Sequence, residues 1–228
     1  MIHLQRNSLA FDPRKAQSLR MTHAVLTGDL IASTASPDRV ERSMATLRAV
    51  ADEPWLTALR FSRFRGDGWQ MSLPRPGLAL RLSLRIAAGL AAVDGLPTRI
   101  SIGLGRIDHP GTFDLSDASG IAFLRSGRGL DHLARGRVWA IDGGTALPDW
   151  TAGLIALADW QAARWTRGQA QVVTDWLNPA PRTQDAAALA TGLTRQAWKA
   201  RLDGSGIVSW TQALHAFEAW DGAGITDD

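Results

Sequence analysis

Apolar and polar positions change period repeatedly along this chain, and each change marks an element. Residues 23–27 form a short apolar run closed by Gly28-Asp29, the pattern of a buried strand ending in a turn. Ser36-Pro37-Asp38 supplies a helix cap and a proline for the first turn. Val40, Met44, Leu47 and Val50 follow at spacings of three and four, which predicts an amphipathic helix. Residues 58–64 and 69–73 each alternate, and Arg65-Gly66-Asp67-Gly68 lies between them, so a hairpin with a carboxylate at its tip is expected. Leu78, Leu82, Leu84, Ile86 and Leu90 predict a second long helix over 77–93, and Leu96-Pro97 closes it before a strand at 99–105.

The order βαββαβ predicts an α+β fold with a ferredoxin-like split βαβ sheet of strand order 4-1-3-2. A helix at 119–133 and a strand at 138–141 extend it. Asp142-Gly143-Gly144-Thr145 and Leu147-Pro148 then place a domain edge near residue 146. Residues 21–146 are thus read as one domain and 147–228 as a small all-α domain. That second domain is predicted to hold helices at 151–165, 168–176, 183–190, 194–202 and 210–220. Residues 1–20, ahead of Met21, are an N-terminal extension to which no function is assigned.

Composition narrows the chemistry. Of the 228 residues, 45% are hydrophobic and 21% charged, enough apolar content to build a core. There are no cysteines, which removes disulfides, thiol catalysis and cysteine-ligated metals, and fits a reducing, cytoplasmic setting. The isoelectric point near 10.4 looks suited to nucleic acid, yet the formal charge is only +3. With Cys and Tyr absent, nothing titrates between the histidines and the lysines, so that value carries little weight. No apolar run reaches the length of a membrane span, and no secretory leader is evident at the start.

In a 4-1-3-2 sheet the end of the first strand lies beside the hairpin joining strands two and three, so Asp29 and Asp67 are expected to meet. Two adjacent carboxylates repel unless a cation lies between them, and Mg²⁺ or Mn²⁺ is satisfied by such carboxylates, water, backbone carbonyls and phosphates. The carbonyls of Leu30 and Ile31 are the expected further ligands, and Gly28, Gly66 and Gly68 are expected to admit phosphates. Each Gly-Asp, read alone, is equally an ordinary surface turn. The topology is what joins them.

These residues resemble the SatD family and, more distantly, class III nucleotidyl cyclases and the palm domains of related polymerases. AVLTGDLIAST is similar to the first-strand metal motif, FRGDGWQM to the hairpin metal motif, TRISIGLGRID to the glycine-rich strand that follows, and DASGIAFLRSGRGLDHL to an arginine-bearing helix. The resemblance implies a palm or nucleotidyl-cyclase-like domain with Asp29 and Asp67 as metal aspartates. It places Arg63 at a purine-contacting lysine, Asp117 near that lysine's partner, and Arg128 at the transition-state arginine. With Arg125, Arg128 would form a phosphate-binding wall, although both arginines also fit a solvated helix face. Leu124 stands where cyclases carry a transition-state asparagine, and a leucine cannot hydrogen-bond a developing charge.

In the all-α part, residues 183–190, a break at Thr191-Gly192-Leu193 and residues 194–202 read as a helix-turn-helix. The Thr-Arg-Gln-Ala stretch resembles that of SatD-like proteins. Arg195, Gln196, Lys199 and Arg201 fall on its second helix, where they would face double-stranded DNA. Residues 151–228, however, carry six Lys/Arg against eight Asp/Glu, and many such folds only mediate packing or dimerisation. The tryptophans at 160, 165, 176, 198, 210 and 220 are expected mostly in the core or at an interface.

The leading expectation is a regulatory protein that couples a metal-dependent palm, binding a nucleoside triphosphate or nucleic-acid phosphate, to a helix-turn-helix that binds DNA or a partner such as a second copy. One alternative is an active cyclase or nucleotidyltransferase using two Mg²⁺ or Mn²⁺ ions. The other is a degenerate palm retained as an oligomerisation scaffold.

Overall fold

A computed structural model describes residues 22–64, 66–180 and 182–227; the extension at 1–20 lies outside them. The architecture is α+β, with a five-stranded mixed sheet and eight α-helices among the described residues. In chain order these are β1 (His23–Leu30), α1 (Pro37–Ala51), β2 (Arg60–Arg63), β3 (Gly68–Leu73), α2 (Ala79–Ala92), β4 (Thr98–Gly105), α3 (Ile121–Asp131) and β5 (Trp139–Asp142). The helices α4 (Asp149–Ala162), α5 (Arg167–Trp176), α6 (Gln184–Ala190), α7 (Arg195–Ser205) and α8 (Thr211–Trp220) complete the chain.

The sheet runs β2-β3-β1-β4-β5. Its first four strands are antiparallel and stand in the order expected from the sequence, while β5 joins parallel to β4 after the α3 crossover. One difference matters for the site. Gly28 and Asp29 do not form a turn; they continue β1, paired with Trp69 and Gly68 on one side and with Ile100 and Arg99 on the other.

Strand alternation divides the sheet into two unlike faces. Leu26, Leu30, Trp69, Met71, Leu73, Ile100, Ile102 and Leu104 fill one face, where α1 and α2 add Leu47, Val50, Leu82 and Ile86. The other face carries Thr27, Asp29, Gln70, Ser72, Arg99 and Ser101 in register. Helix α3 covers part of this polar face. Thr27 Oγ1 lies 2.8 Å from Ser126 Oγ and accepts from Gln70 Nε2 at 2.9 Å.

Helix α2 is buried on nearly every side, as its apolar surround requires. Its outer side packs against α4 and α5, so the apolar residues before and after the edge near 146 belong to one continuous core that includes Leu84, Val173, Trp165 and Phe217. Arg81 lies within that seam, with Nε 2.6 Å from Glu218 and Nη1 donating to the Leu177 carbonyl at 3.2 Å. Removing either partner of such a buried pair strands the other charge. Trp165, Trp198 and Trp210 are buried, as expected of a helical core, whereas Trp160 is 54% exposed beneath Arg164.

Contact between α3 and the sheet depends on glycines in β4. A Cβ on Gly103 would run into the Ala122 carbonyl and the Ser126 amide, whereas one on Gly127 would meet nothing within 4 Å. Gly103→Ala is therefore expected to cost about 2–3 kcal/mol in urea unfolding through overpacking. Gly127→Ala, in mid-helix, should be neutral or stabilising by up to about 1 kcal/mol. Equal stabilities for the two variants would contradict this packing.

Candidate functional site

Two sheet partners set the position of Asp29. It lies opposite Gly68 of β3 and Arg99 of β4, and the Leu30 amide donates to the Asp67 carbonyl at 3.2 Å, so Asp67 follows directly at the hairpin tip. The structure therefore brings the two residues to one end of the sheet, with Asp67 lining the cleft at α1 and Asp29 held by Arg99 on the polar face. Gly66 supports the tip with φ of 72°, a left-handed conformation that glycine adopts freely, and the space beside it is open.

Both carboxylates already have partners. Arg99 clasps Asp29 through two parallel bonds, Nε to Oδ1 at 2.6 Å and Nη2 to Oδ2. The Ser33 hydroxyl donates to Asp67 Oδ2. The Asp29 bond holds the Arg99 guanidinium more firmly protonated than usual despite partial burial, and the charges of Asp29, Asp131 and Asp67 add to the effect.

The loop leaving β1 turns sharply. Ala32 has φ of 58°, which costs a residue with a Cβ on the order of 1 kcal/mol. Ser36 sits at the N-cap of α1 and its hydroxyl makes no capping bond, but Pro37 brings no N–H and the Arg39 amide donates to the Ser36 carbonyl at 3.1 Å, so the first turn offers few free amides. Ser33, Thr34, Pro37, Asp38, Val40, Glu41, Gly66 and Asp67 line an open cleft of about 480 Å³ at this point.

Arg63 closes one rim of the cleft. It pairs with Glu41 at 2.7 and 2.9 Å and donates from Nε to the Gly66 carbonyl at 3.0 Å. Arg128 lies in the last turn of α3, exposed. The next residue, Gly129, packs on Ser101, two positions beyond Arg99 on the same strand face. The C-terminal end of α3 thus reaches the Asp29 end of the sheet.

Three expected ligand contacts are not made. Gly28 is buried, and a Cβ there would strike the Arg99 carbonyl and the Trp69 ring, so its small size admits the indole rather than a phosphate. Arg125 is neither a solvated helix-face residue nor part of an open phosphate wall. It is 5% exposed, and its Nη1 donates to the carbonyls of Leu104 at 2.8 Å and Thr226 at 2.9 Å, tying the C-terminal tail to the sheet. Asp117 does not face Arg63. It closes its own loop by accepting from the Thr112 amide at 2.9 Å. Gly68 opens β3 with, among the described residues, the Phe64 Cβ 3.5 Å from where its own Cβ would stand.

Arg99, Ser33 and Glu41 are the site residues that sequence reasoning passed over. Arg99 had a signal: in residues 98–105 Thr, Ile, Ile and Leu alternate with Arg, Ser, Gly and Gly, which puts Arg99 on the polar face. Given the 4-1-3-2 order, register then sets it against Asp29. Ser33 and Glu41 had none, because a loop and a helix surface converge on the hairpin only in three dimensions.

The donor set suits a hard cation in kind. Asp67, Asp29, the Ser33 and Thr34 hydroxyls and the Leu30 and Ile31 carbonyls are all oxygen donors, and Asp38 and Glu41 add negative charge to the cleft. Among the described residues no three His, Cys, Asp or Glu side chains converge, so further ligands would have to come from water or from a bound phosphate.

In the helical half, α6 and α7 are joined through Gly192, whose φ is 68°. Thr194 caps α7 by accepting from the Ala197 amide at 3.2 Å. Arg195, Gln196 and Lys199 are exposed, but Arg195 lies 3.6 Å from Asp185 and Lys199 2.6 Å from Asp203, so much of the basic charge is balanced locally. Arg201 is half-buried and bonds Gln171 at 3.3 Å.

No protein-family model matches this chain, and no curated protein matches it. No helix among the described residues is long and apolar enough to cross a membrane.

The bond from Arg63 holds the Glu41 carboxyl below the usual glutamate range, opposed by slight desolvation and assisted by the Arg63 charge. Because the folded value is lowered, the pair's contribution is complete above the ordinary glutamate value and is lost as pH falls through the lowered one. A carbon-detected NMR titration should show Glu41 titrating below the other exposed glutamates, and Arg63→Ala should return it to the ordinary range. An unchanged midpoint in the variant would remove Arg63 from the cleft rim.

Proposed function

We propose that the sheet half is a palm-like, nucleoside-triphosphate-binding domain, and that it binds its ligand without turning it over. The observation that carries this reading is the convergence of Asp67, Ser33, Thr34 and the N-terminal turn of α1 on one cleft, with Asp29 at the same end of the sheet on the neighbouring strand. The dipole of a helix N-terminus favours phosphate. Asp38, Glu41 and Asp67 would repel a bare triphosphate; a Mg²⁺ or Mn²⁺ ion held by Asp67 and Asp29 would supply the missing positive charge. The chain's own groups do the rest. The Ser33 hydroxyl orients Asp67, Arg63 holds Glu41 and the hairpin tip together, and Gly66 leaves room at the tip.

Binding is favoured over turnover by two residues. Leu124 is 54% exposed and offers no polar group, and Arg125 is committed to internal carbonyls. Arg128 is left as the one arginine of α3 available to a phosphate. The resemblance to the SatD family supports a palm coupled to a helix-turn-helix. Exposed Arg195, Gln196 and Lys199 are the side chains with which α7 would approach DNA or a partner.

The test is thermal unfolding of the whole chain with ATP, GTP, CTP or UTP and Mn²⁺. A ligand at a hundredfold excess over its Kd adds about 2.7 kcal/mol, which for a chain of this size is a rise of roughly 5–10 °C. Asp67→Ala should abolish the shift. No shift with any nucleotide would overturn the binding reading and favour a palm kept as a scaffold.

A further inference from the structure

The Arg99–Asp29 pair has the geometry of an occupied cation site. Register places the two residues directly opposite on β1 and β4, on the polar face, and both carboxylate oxygens are engaged by one guanidinium. A bidentate fork of this kind fixes a carboxylate in orientation as well as in charge. It also engages both of the oxygens with which Asp29 would reach a metal ion. Each oxygen keeps a second lone pair, but a guanidinium and a divalent ion on one carboxylate repel each other and share its charge, so each weakens the other's hold on Asp29.

We propose that Arg99 is the built-in counter-cation of this site, holding Asp29 in the ligand-free protein and yielding it when a divalent cation binds, with Asp131 receiving the released guanidinium. The proposal rests on the metal-dependent reading of the cleft given above and assigns that reading its gate. The exchange is feasible because the pair is not deeply buried: the side chains are 43% and 24% exposed, a setting in which ion pairs are weak and reversible. A second acceptor is at hand. Asp131 ends α3, two residues beyond the glycine that rests on Ser101, and its exposed carboxylate already acts on the Arg99 charge. Arg99 thereby keeps Asp29 from standing as an unpaired charge beside Asp67 when the cleft is empty.

The measurement is Mn²⁺ binding to the full chain, with free ion quantified by electron paramagnetic resonance and no nucleotide present. Wild type is compared with Arg99→Gln, Arg99→Lys and Arg99→Gln/Asp29→Asn, each first checked for native circular dichroism. Arg99→Gln should bind Mn²⁺ at least about fivefold more tightly than wild type, since it loses both the competing fork and a like charge. The double variant should lose that gain. Arg99→Lys keeps the charge without the fork and should fall between wild type and Arg99→Gln; it decides the question if the glutamine variant does not fold. Measurable wild-type binding that neither Arg99 substitution tightens would overturn the gate while leaving the metal site standing. Absence of Mn²⁺ binding in wild type and in both single variants would remove the metal reading itself, and the gate with it.

Discussion

The candidate site depends on β1 being paired along both edges. A strand held by β3 on one side and β4 on the other has a register fixed twice, and a slip of one residue would move every side chain to the opposite face. Because Leu26, Leu30 and their neighbours must point into the core, Thr27 and Asp29 must point the other way. Asp29 then meets Arg99 across one edge and the Gly68 end of the hairpin across the other. The hydrophobic face positions the polar one.

Helix α2 has the corresponding role for the rest of the chain. Its sheet-facing side completes the first core, and its outer side is the floor on which the C-terminal helices pack. The partly buried Arg81–Glu218 pair stitches that seam, and Arg125 fastens the tail at Thr226 back to β4. The sheet and the C-terminal helices are therefore mechanically continuous. A change in how α3 rests on β4 would be felt at the Asp29 end and also at the tail that Arg125 holds.

Two of the carboxylates at the site are balanced by ion pairs, and Asp67 keeps its charge. Asp29 has Arg99, Glu41 has Arg63 and Asp67 has a hydroxyl. A phosphate ligand entering the cleft must therefore rearrange charges as well as fill space. The helical half shows the same economy, since Arg195 and Lys199 each lie close to an aspartate. An approaching polyanion would compete with those aspartates.

Periodicity alone determined the order of elements, the central place of β1 and the placing of Asp29 and Asp67 at one end of the sheet, because alternating strands and three-four helices are local signals and the βαββαβ order admits few sheets. The ends of elements were harder to read. Gly28-Asp29 resembles a turn until pairing on both sides keeps it extended, and glycine at 28 reflects the Trp69 ring rather than a ligand. The fate of Arg125 was hidden as well, because whether a helical arginine is solvated or spent on buried carbonyls depends on what packs over it, here a tail about a hundred residues further along the chain. Sequence placed Asp29 and Asp67 at one end of the sheet; only the tertiary structure decided what each carboxylate bonds, since the guanidinium that clasps Asp29 arrives from a strand seventy residues away and the hydroxyl on Asp67 from a loop across the cleft.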